Sequence, residues 1–197
     1  MVDDAIECQL EPSGEILDED QMLVSAARHD TEAAGRLYDK YYSQILGYIY
    51  HCTLESTVAE DLTSNVFLAV FRHLGRYRWR QILFRAWLFR VATNEVRMYW
   101  RRKKRIKTIS IQSDDEYISS TAADSIESAE KYSLLYKALL ELQIKYRTVI
   151  ILRYFKGKAI AEICEITGKK EGTVKAQLHR GLARLQDILA QWGMLAE

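Results

Sequence analysis

Two stretches of this chain carry side chains suited to a polyanion. In residues 76–105, Tyr77, Trp79, Phe84, Trp87, Phe89, Tyr99 and Trp100 are interleaved with Arg76, Arg78, Arg80, Arg85, Arg90 and Arg97, and the segment ends in Arg101-Arg102-Lys103-Lys104-Arg105. Cations neutralise phosphates and release counterions, and exposed aromatic faces stack on unpaired bases, worth about 1–3 kcal/mol per base. The combination suits single-stranded or opening DNA better than plain duplex. Any single ring, Phe84 or Trp87 above all, is better read as a core residue of the helix that carries it. The charge is harder to explain that way. Residues 72–105 hold twelve Arg or Lys and one acid, Glu95, or about +11, and such like charges repel one another without a polyanionic partner.

The second stretch is 159–185, AIAEICEITGKKEGTVKAQLHRGLARL. A short apolar helix, a turn containing glycine and a second helix with a polar outer face describe a helix-turn-helix. The first helix braces the second, which can enter the major groove. Lys175, Ala176, His179 and Arg180 fall opposite the apolar stripe Val174, Leu178, Leu182 and Leu185, and Thr173 stands at the start as a contact or cap. Lysine and arginine at such positions pair with guanine O6/N7 or with phosphate. A helical hairpin with a solvated basic face is the structural alternative.

Enzymatic chemistry finds little support. The sequence has no phosphate-cradling glycine loop, no HExxH and no Gly-x-Ser-x-Gly. Cys8, Cys52 and Cys164 are too far apart for a zinc knuckle, and the expectation is three reduced thiols with no metal and no cofactor. No run reaches the ~18 apolar residues of a membrane span. The acidic N-terminus has no signal-peptide pattern, so no membrane insertion and a cytoplasmic location are expected.

Elements that could position these residues follow from periodicity. The net charge of +1 hides a polarised chain, for residues 1–32 hold ten acids and one base, Arg28. With one proline and nine glycines in 197 residues, long helices are favoured. Residues 1–17 read as an acidic tail. A helix is predicted after Asp18, and a second from Asp30 to about Cys52 carries the stripe Leu37, Tyr41, Ile45, Tyr48 and Cys52. A third follows Ser56 or Thr57 to Gly75, with Leu62, Val66, Val70 and Leu74 inward. A fourth spans roughly 82–104, carrying Phe84, Leu88, Val91 and Val96 inward. Residues 106–128 are polar and Ser/Asp-rich, an inter-domain linker. Helices are then predicted at about 129–141, 144–155, 159–166 and from 171. The fold class is all-α: two small helical domains, 18–105 and 129–197, joined by a flexible acidic linker, the C-terminal one a helix-turn-helix.

Taken together, three segments resemble the extracytoplasmic-function sigma factors of bacterial RNA polymerase. Residues 59–74, AEDLTSNVFLAVFRHL, are similar to that family's polymerase-binding helix; residues 85–103, RAWLFRVATNEVRMYWRRK, to its WL-x-x-Ile-Ala-x-Asn segment; and residues 139–188 to its C-terminal region. The resemblance implies a non-enzymatic initiation subunit whose partners are core RNA polymerase, through its β and β′ subunits, promoter DNA and an anti-sigma protein. It places polymerase contacts at Asp61, Leu62, Asn65 and Phe67. It places −10 capture and melting at Tyr77, Arg78, Trp79, Arg80, Trp87, Asn94, Arg101, Arg102 and Lys103. It places −35 reading at Thr173, Lys175, Ala176, His179 and Arg180. Ala176-Gln177 stands where the family commonly has Ser-Arg. Two rivals are a stand-alone helix-turn-helix regulator and a helical adaptor whose basic block binds an acidic protein.

Overall fold

The computed structural model describes residues 14–78, 83–109 and 126–193. The acidic segment 1–13, Trp79 and Arg80 of the basic loop, and most of the expected linker lie outside the described residues. Eight α-helices, and no strand, are present among those described.

Helix α1 spans Gly14–Ala26, four residues earlier than the acidic residue Asp18 suggested as its cap. Asp30 caps α2 (Thr31–Thr53), its carboxylate accepting from the Glu32 amide at 2.9 Å. Every residue of the anticipated α2 stripe is buried. Leu54, in the left-handed region with φ 58°, ends the helix, its amide bonding the Tyr50 carbonyl. Helix α3 (Ser56–His73) starts from Glu55 without a side-chain cap, so neither Ser56 nor Thr57 plays that part. A 3-10 turn, Leu74–Arg76, comes next, and α4 runs from Phe84 to Ile109, past the basic run.

Helix α5 spans Ile126–Glu141 and α6 Ile144–Ile150, continuing as a π turn over Ile151–Phe155. The break at Leu142–Gln143 occurs without proline. There, the Arg147 guanidinium donates to the carbonyls of Leu140 and Leu142, serving groups a continuing helix would have used. Helix α7 (Ile160–Thr167) ends at Gly168, φ 69°, a conformation that favours glycine, and α8 spans Glu171–Gln191.

Helices α1–α4 pack around Tyr48, Phe84, Phe89 and Leu88, all essentially without solvent exposure. Edge-on ring contacts such as Tyr48–Phe89 at 5.4 Å give this core a specific geometry. Helices α5–α8 pack around Val149, Ile151, Leu152 and Ile163. In α8 the buried side is Val174, Gln177, Leu178, Gly181 and Leu185, whereas Leu182, expected inside, is 37% exposed. Gly181 takes the inner place because a Cβ there would meet Ile150 Cδ1 at 3.0 Å and Tyr146 Cβ at 3.1 Å. The two helical units share one continuous apolar core and are not separated in space.

Candidate nucleic-acid interface

Helix α8 presents its polar face to solvent because α7 and α6 cover the other. Thr173, Lys175, His179 and Arg180 are exposed and Ala176 is half-buried. Lys175 pairs with Glu171 one turn earlier at 2.7 Å, and Arg180 Nε donates to the Ala176 carbonyl at 3.1 Å. The exposed pair raises Lys175 from its ordinary value, first through the hydrogen bond with Glu171, and engages the cation with a carboxylate that another anion would have to displace. Gln177 is turned inward, its Oε1 accepting from Lys169 Nζ of the turn at 2.6 Å. It therefore ties the turn to the helix and does not extend the outer face.

The bracing helix is itself anchored by one carboxylate. Glu162 Oε2 accepts from the Ala159 amide at 3.0 Å, satisfying the start of α7, and Oε1 pairs with Arg85 of α4 at 2.8 Å. Lys158 lies 3.6 Å from the same oxygen and 4.8 Å from the Phe89 ring centre. Burial lowers the Lys158 ammonium from its usual value, with Arg85 adding to the effect.

Along α4, Asn94, Arg101 and Arg102 are exposed, and Trp87 is half-buried. Trp87 packs with Tyr77 at 5.0 Å and Phe84 at 5.7 Å between ring centres. Tyr77 is buried, and its carbonyl accepts from Arg28 at 2.9 Å. Arg78 is exposed, reaching the Gly75 carbonyl. Lys103 pairs with Glu55 at 2.7 Å and lies over the Tyr99 and Trp100 rings. Several cations of the basic block are thus engaged inside the protein: Arg85 with Glu162, Arg90 with the Glu165 carbonyl, Lys103 with Glu55. The rings largely face inward, and the exposed residues of α4 include Asn94, Arg101, Arg102, Lys104 and Arg105.

On α3, Asp61 and Asn65 are exposed on one face. Leu62 and Phe67 are turned into the core, Phe67 against Tyr38 at 4.6 Å. The large apolar side chain beside Asp61 and Asn65 is instead Leu68, 54% exposed, which sequence inspection passed over.

Sequence inspection also passed over Arg147. It is 3% exposed, donates to the Cys52, Leu140 and Leu142 carbonyls, and stacks on Trp100. A cation two residues before the apolar run 149–152, on the same helix face as Ile144 and Ile151, was the available signal. No group of His, Cys, Asp and Glu suited to a metal occurs among the described residues, and no described helix is long and apolar enough to cross a membrane.

Comparison with known proteins agrees with this architecture. Residues 37–106 match sigma-70 region 2, and residues 132–185 match sigma-70 region 4. The RNA polymerase sigma factor YlaC of Bacillus subtilis is 31% identical over 76% of this chain and 87% of its own length. The ECF RNA polymerase sigma factor BldN of Streptomyces coelicolor is 29% identical over 86% of this chain, which spans 65% of BldN. The sigma factor RpoE of Bartonella quintana, solved with the anti-sigma factor NepR, superposes with a TM-score of 0.61 over 79% of this chain and 96% of RpoE at 21% identity, a likeness of fold. With regions 2 and 4 in order on an all-helical scaffold, the chain belongs to the sigma-70 family of RNA polymerase sigma factors, in its extracytoplasmic-function branch.

Proposed function

We propose that this chain directs core RNA polymerase to promoters by reading two DNA elements with two helices. The carrying observation is the exposed basic face of α8 at Lys175, His179 and Arg180, backed by α7 and braced from α4 through Glu162. In this reading α8 docks in the major groove of the −35 element, with Thr173 and Ala176 at its leading edge.

Asn94, Arg101 and Arg102 of α4 contact the −10 element, with Lys103 exchanging Glu55 for phosphate. The loop Tyr77–Arg80 and Trp87 capture an unpaired base. Stacking and phosphate neutralisation offset an unpairing cost of a few kcal/mol per base. Tyr77 supports the loop from inside, and Trp87 offers the ring nearer the surface. Asp61 and Asn65 face the β and β′ subunits, with Leu62 and Phe67 shaping that face from beneath. The domain limits we assign are 18–105 and 129–197, with 1–17 as tail and 106–128 as linker. The work is cytoplasmic and needs no cofactor. An anti-sigma protein is the proposed inhibitor, since RpoE of similar fold was solved with the anti-sigma factor NepR.

A gel shift on duplex promoter DNA, with and without core polymerase, tests the proposal. Tight sequence-specific binding is expected only when core is present. Specific nanomolar binding by the free chain would identify a stand-alone regulator, and no binding in either lane would identify an adaptor.

A further inference from the structure

Residues 1–32 contain a single base, Arg28, among ten acids, and it lies ahead of residues 37–106, which match sigma-70 region 2. No carboxylate pairs with it among the described residues. Its Nη2 instead donates to the Tyr77 carbonyl at 2.9 Å, 49 residues along the chain. Tyr77 closes the 3-10 turn after α3, its amide bonding the Leu74 carbonyl at 3.2 Å. Its backbone then runs extended, with φ −63° and ψ 136°, so its carbonyl has left the helix ladder and needs a partner from elsewhere.

Packing does not set the spacing at this point. Arg28 lines a cleft of about 280 Å³ between the α1–α2 turn and the end of α3, shared with Phe71, Leu74 and Gly75. The hydrogen bond spans from one element to the other. A long side chain fixes a carbonyl only where its own backbone is fixed. Arg28 follows the buried Ala27 and precedes Asp30, the cap of α2. One turn of α1 further back, Leu23 and Val24 are buried, and Asp20, 5% exposed, accepts from the Tyr41 hydroxyl and pairs with Lys40 at 2.9 Å.

Both ties of α1 lead to the same rings. Tyr41 meets Phe84 edge-on at 5.5 Å, and Tyr77 lies 5.7 Å from Phe84 and 5.0 Å from Trp87 between ring centres. Asp20 thus holds the cluster from beneath, through Tyr41, and Arg28 holds it at Tyr77. Trp87 is the half-buried member, the ring nearer the surface.

We propose that Arg28 is a positioning residue for promoter opening: through the Tyr77 carbonyl it fixes the Tyr77, Phe84 and Trp87 rings and so the face that Trp87 offers to an unpaired base. The inference rests on the promoter-reading proposal and adds to it a residue that touches no DNA. Release of the carbonyl lets Tyr77 shift against Trp87, and a stacking surface out of place stabilises the open strands less.

Two readouts test this in Arg28→Ala. The first needs neither polymerase nor DNA: the full chain is labelled with 5-fluorotryptophan, and the Trp87 fluorine resonance is assigned with Trp87→Phe. Arg28→Ala is expected to move the Trp87 resonance and leave those of Trp100 and Trp192 in place. The second uses the complex with core polymerase on a duplex that it selects from a random pool, with 2-aminopurine in the −10 element. The opened fraction should fall about three- to ten-fold, the scale of one hydrogen bond, while affinity for core stays the same. An unmoved Trp87 resonance overturns the proposal, and so does a moved one with opening unchanged. Movement of all three resonances, or weaker binding to core, would mark general loosening and overturn it as well. A salt slope of promoter binding lower by about 0.9 would make Arg28 a phosphate contact instead. Should the unsubstituted complex select no sequence, the promoter reading falls and the positioning role with it, while the Trp87 resonance still reports whether Arg28 holds the rings.

Discussion

Arg147 and Trp100 lie 47 residues apart and share one acceptor, the carbonyl of Cys52, with the guanidinium stacked on the indole at 4.6 Å. The relationship joins the C-terminal unit to the same helix that carries Arg101 and Arg102. A stability effect of Arg147 is therefore an effect on the whole molecule.

Replacing Arg147 by alanine leaves the Leu140 and Leu142 carbonyls without their side-chain donor, takes one of two side-chain donors from the Cys52 carbonyl, and opens a gap beside Trp100. Burial already lowers the guanidinium to about 10, although the ion remains charged at neutral pH. A loss of about 2–4 kcal/mol is expected, combining orphaned acceptors with lost packing. Urea unfolding followed by circular dichroism measures it, and a change under about 1 kcal/mol, the worth of one ordinary hydrogen bond, would contradict the assignment.

Gly181→Val should misplace α8. Its Cβ would stand 3.0 Å from Ile150 and 3.1 Å from Tyr146, and the branched side chain needs still more room. Overpacking of this kind costs about 1–3 kcal/mol. Holoenzyme binding to promoter DNA should weaken beyond that of the Leu182→Ala protein, which alters a partly exposed position on the next residue.

Acid should weaken the contacts that join the two units through His51. Burial lowers the imidazole to about 4 from a usual 6.5, and Lys156 pushes the same way. The neutral ring is what the folded state accommodates between Tyr136, Phe155 and Tyr50. A separated or unfolded chain binds the extra proton between pH 6.5 and 4, so stability is complete above about 6.5 and declines as pH falls toward 4. The slope should not exceed about 1.4 kcal/mol per pH unit. His51→Phe keeps a ring in the slot and should flatten the decline between about pH 6.5 and 5, as read by thermal unfolding at each pH.

Arg180→Ala and Lys175→Ala, each in the polymerase-bound protein, should weaken −35 recognition by about 1–3 kcal/mol if the side chains read bases. A phosphate role would instead weaken all sequences alike and reduce the salt slope by about one. Glu171→Gln removes the partner that competes for Lys175 and should tighten DNA binding. Titration of labelled promoter fragments at two salt concentrations separates these outcomes.

Local order was legible in the residues themselves. The recurrence of Leu37, Tyr41, Ile45 and Tyr48 at helical spacing marks a buried helix face, Asp30 can cap only a helix on its C-terminal side, and Gly168 offers the left-handed turn between α7 and α8. Each depends on neighbours within a turn or two, which periodicity and capping chemistry record directly. The outer face of α8 was legible for the same reason. The boundary of α1 was not, because it begins at Gly14 within an acidic stretch that has no apolar period.

Contacts between distant segments were decided by the tertiary structure alone. Periodicity says that Phe67, Leu68 and Tyr77 are large and apolar or aromatic, but only packing buries Phe67 and Tyr77 and leaves Leu68 outside. It cannot say that Gln177 turns in to meet Lys169, or that Arg147 finds a carbonyl 95 residues back. A hydrogen bond to a main-chain oxygen leaves no trace in residue type, since every residue carries one. The helices and the polar chemistry of their solvent-facing sides thus belong to the sequence; the contacts that join the two units belong to the fold, because their partners are backbone groups brought together by the packing of separate helices.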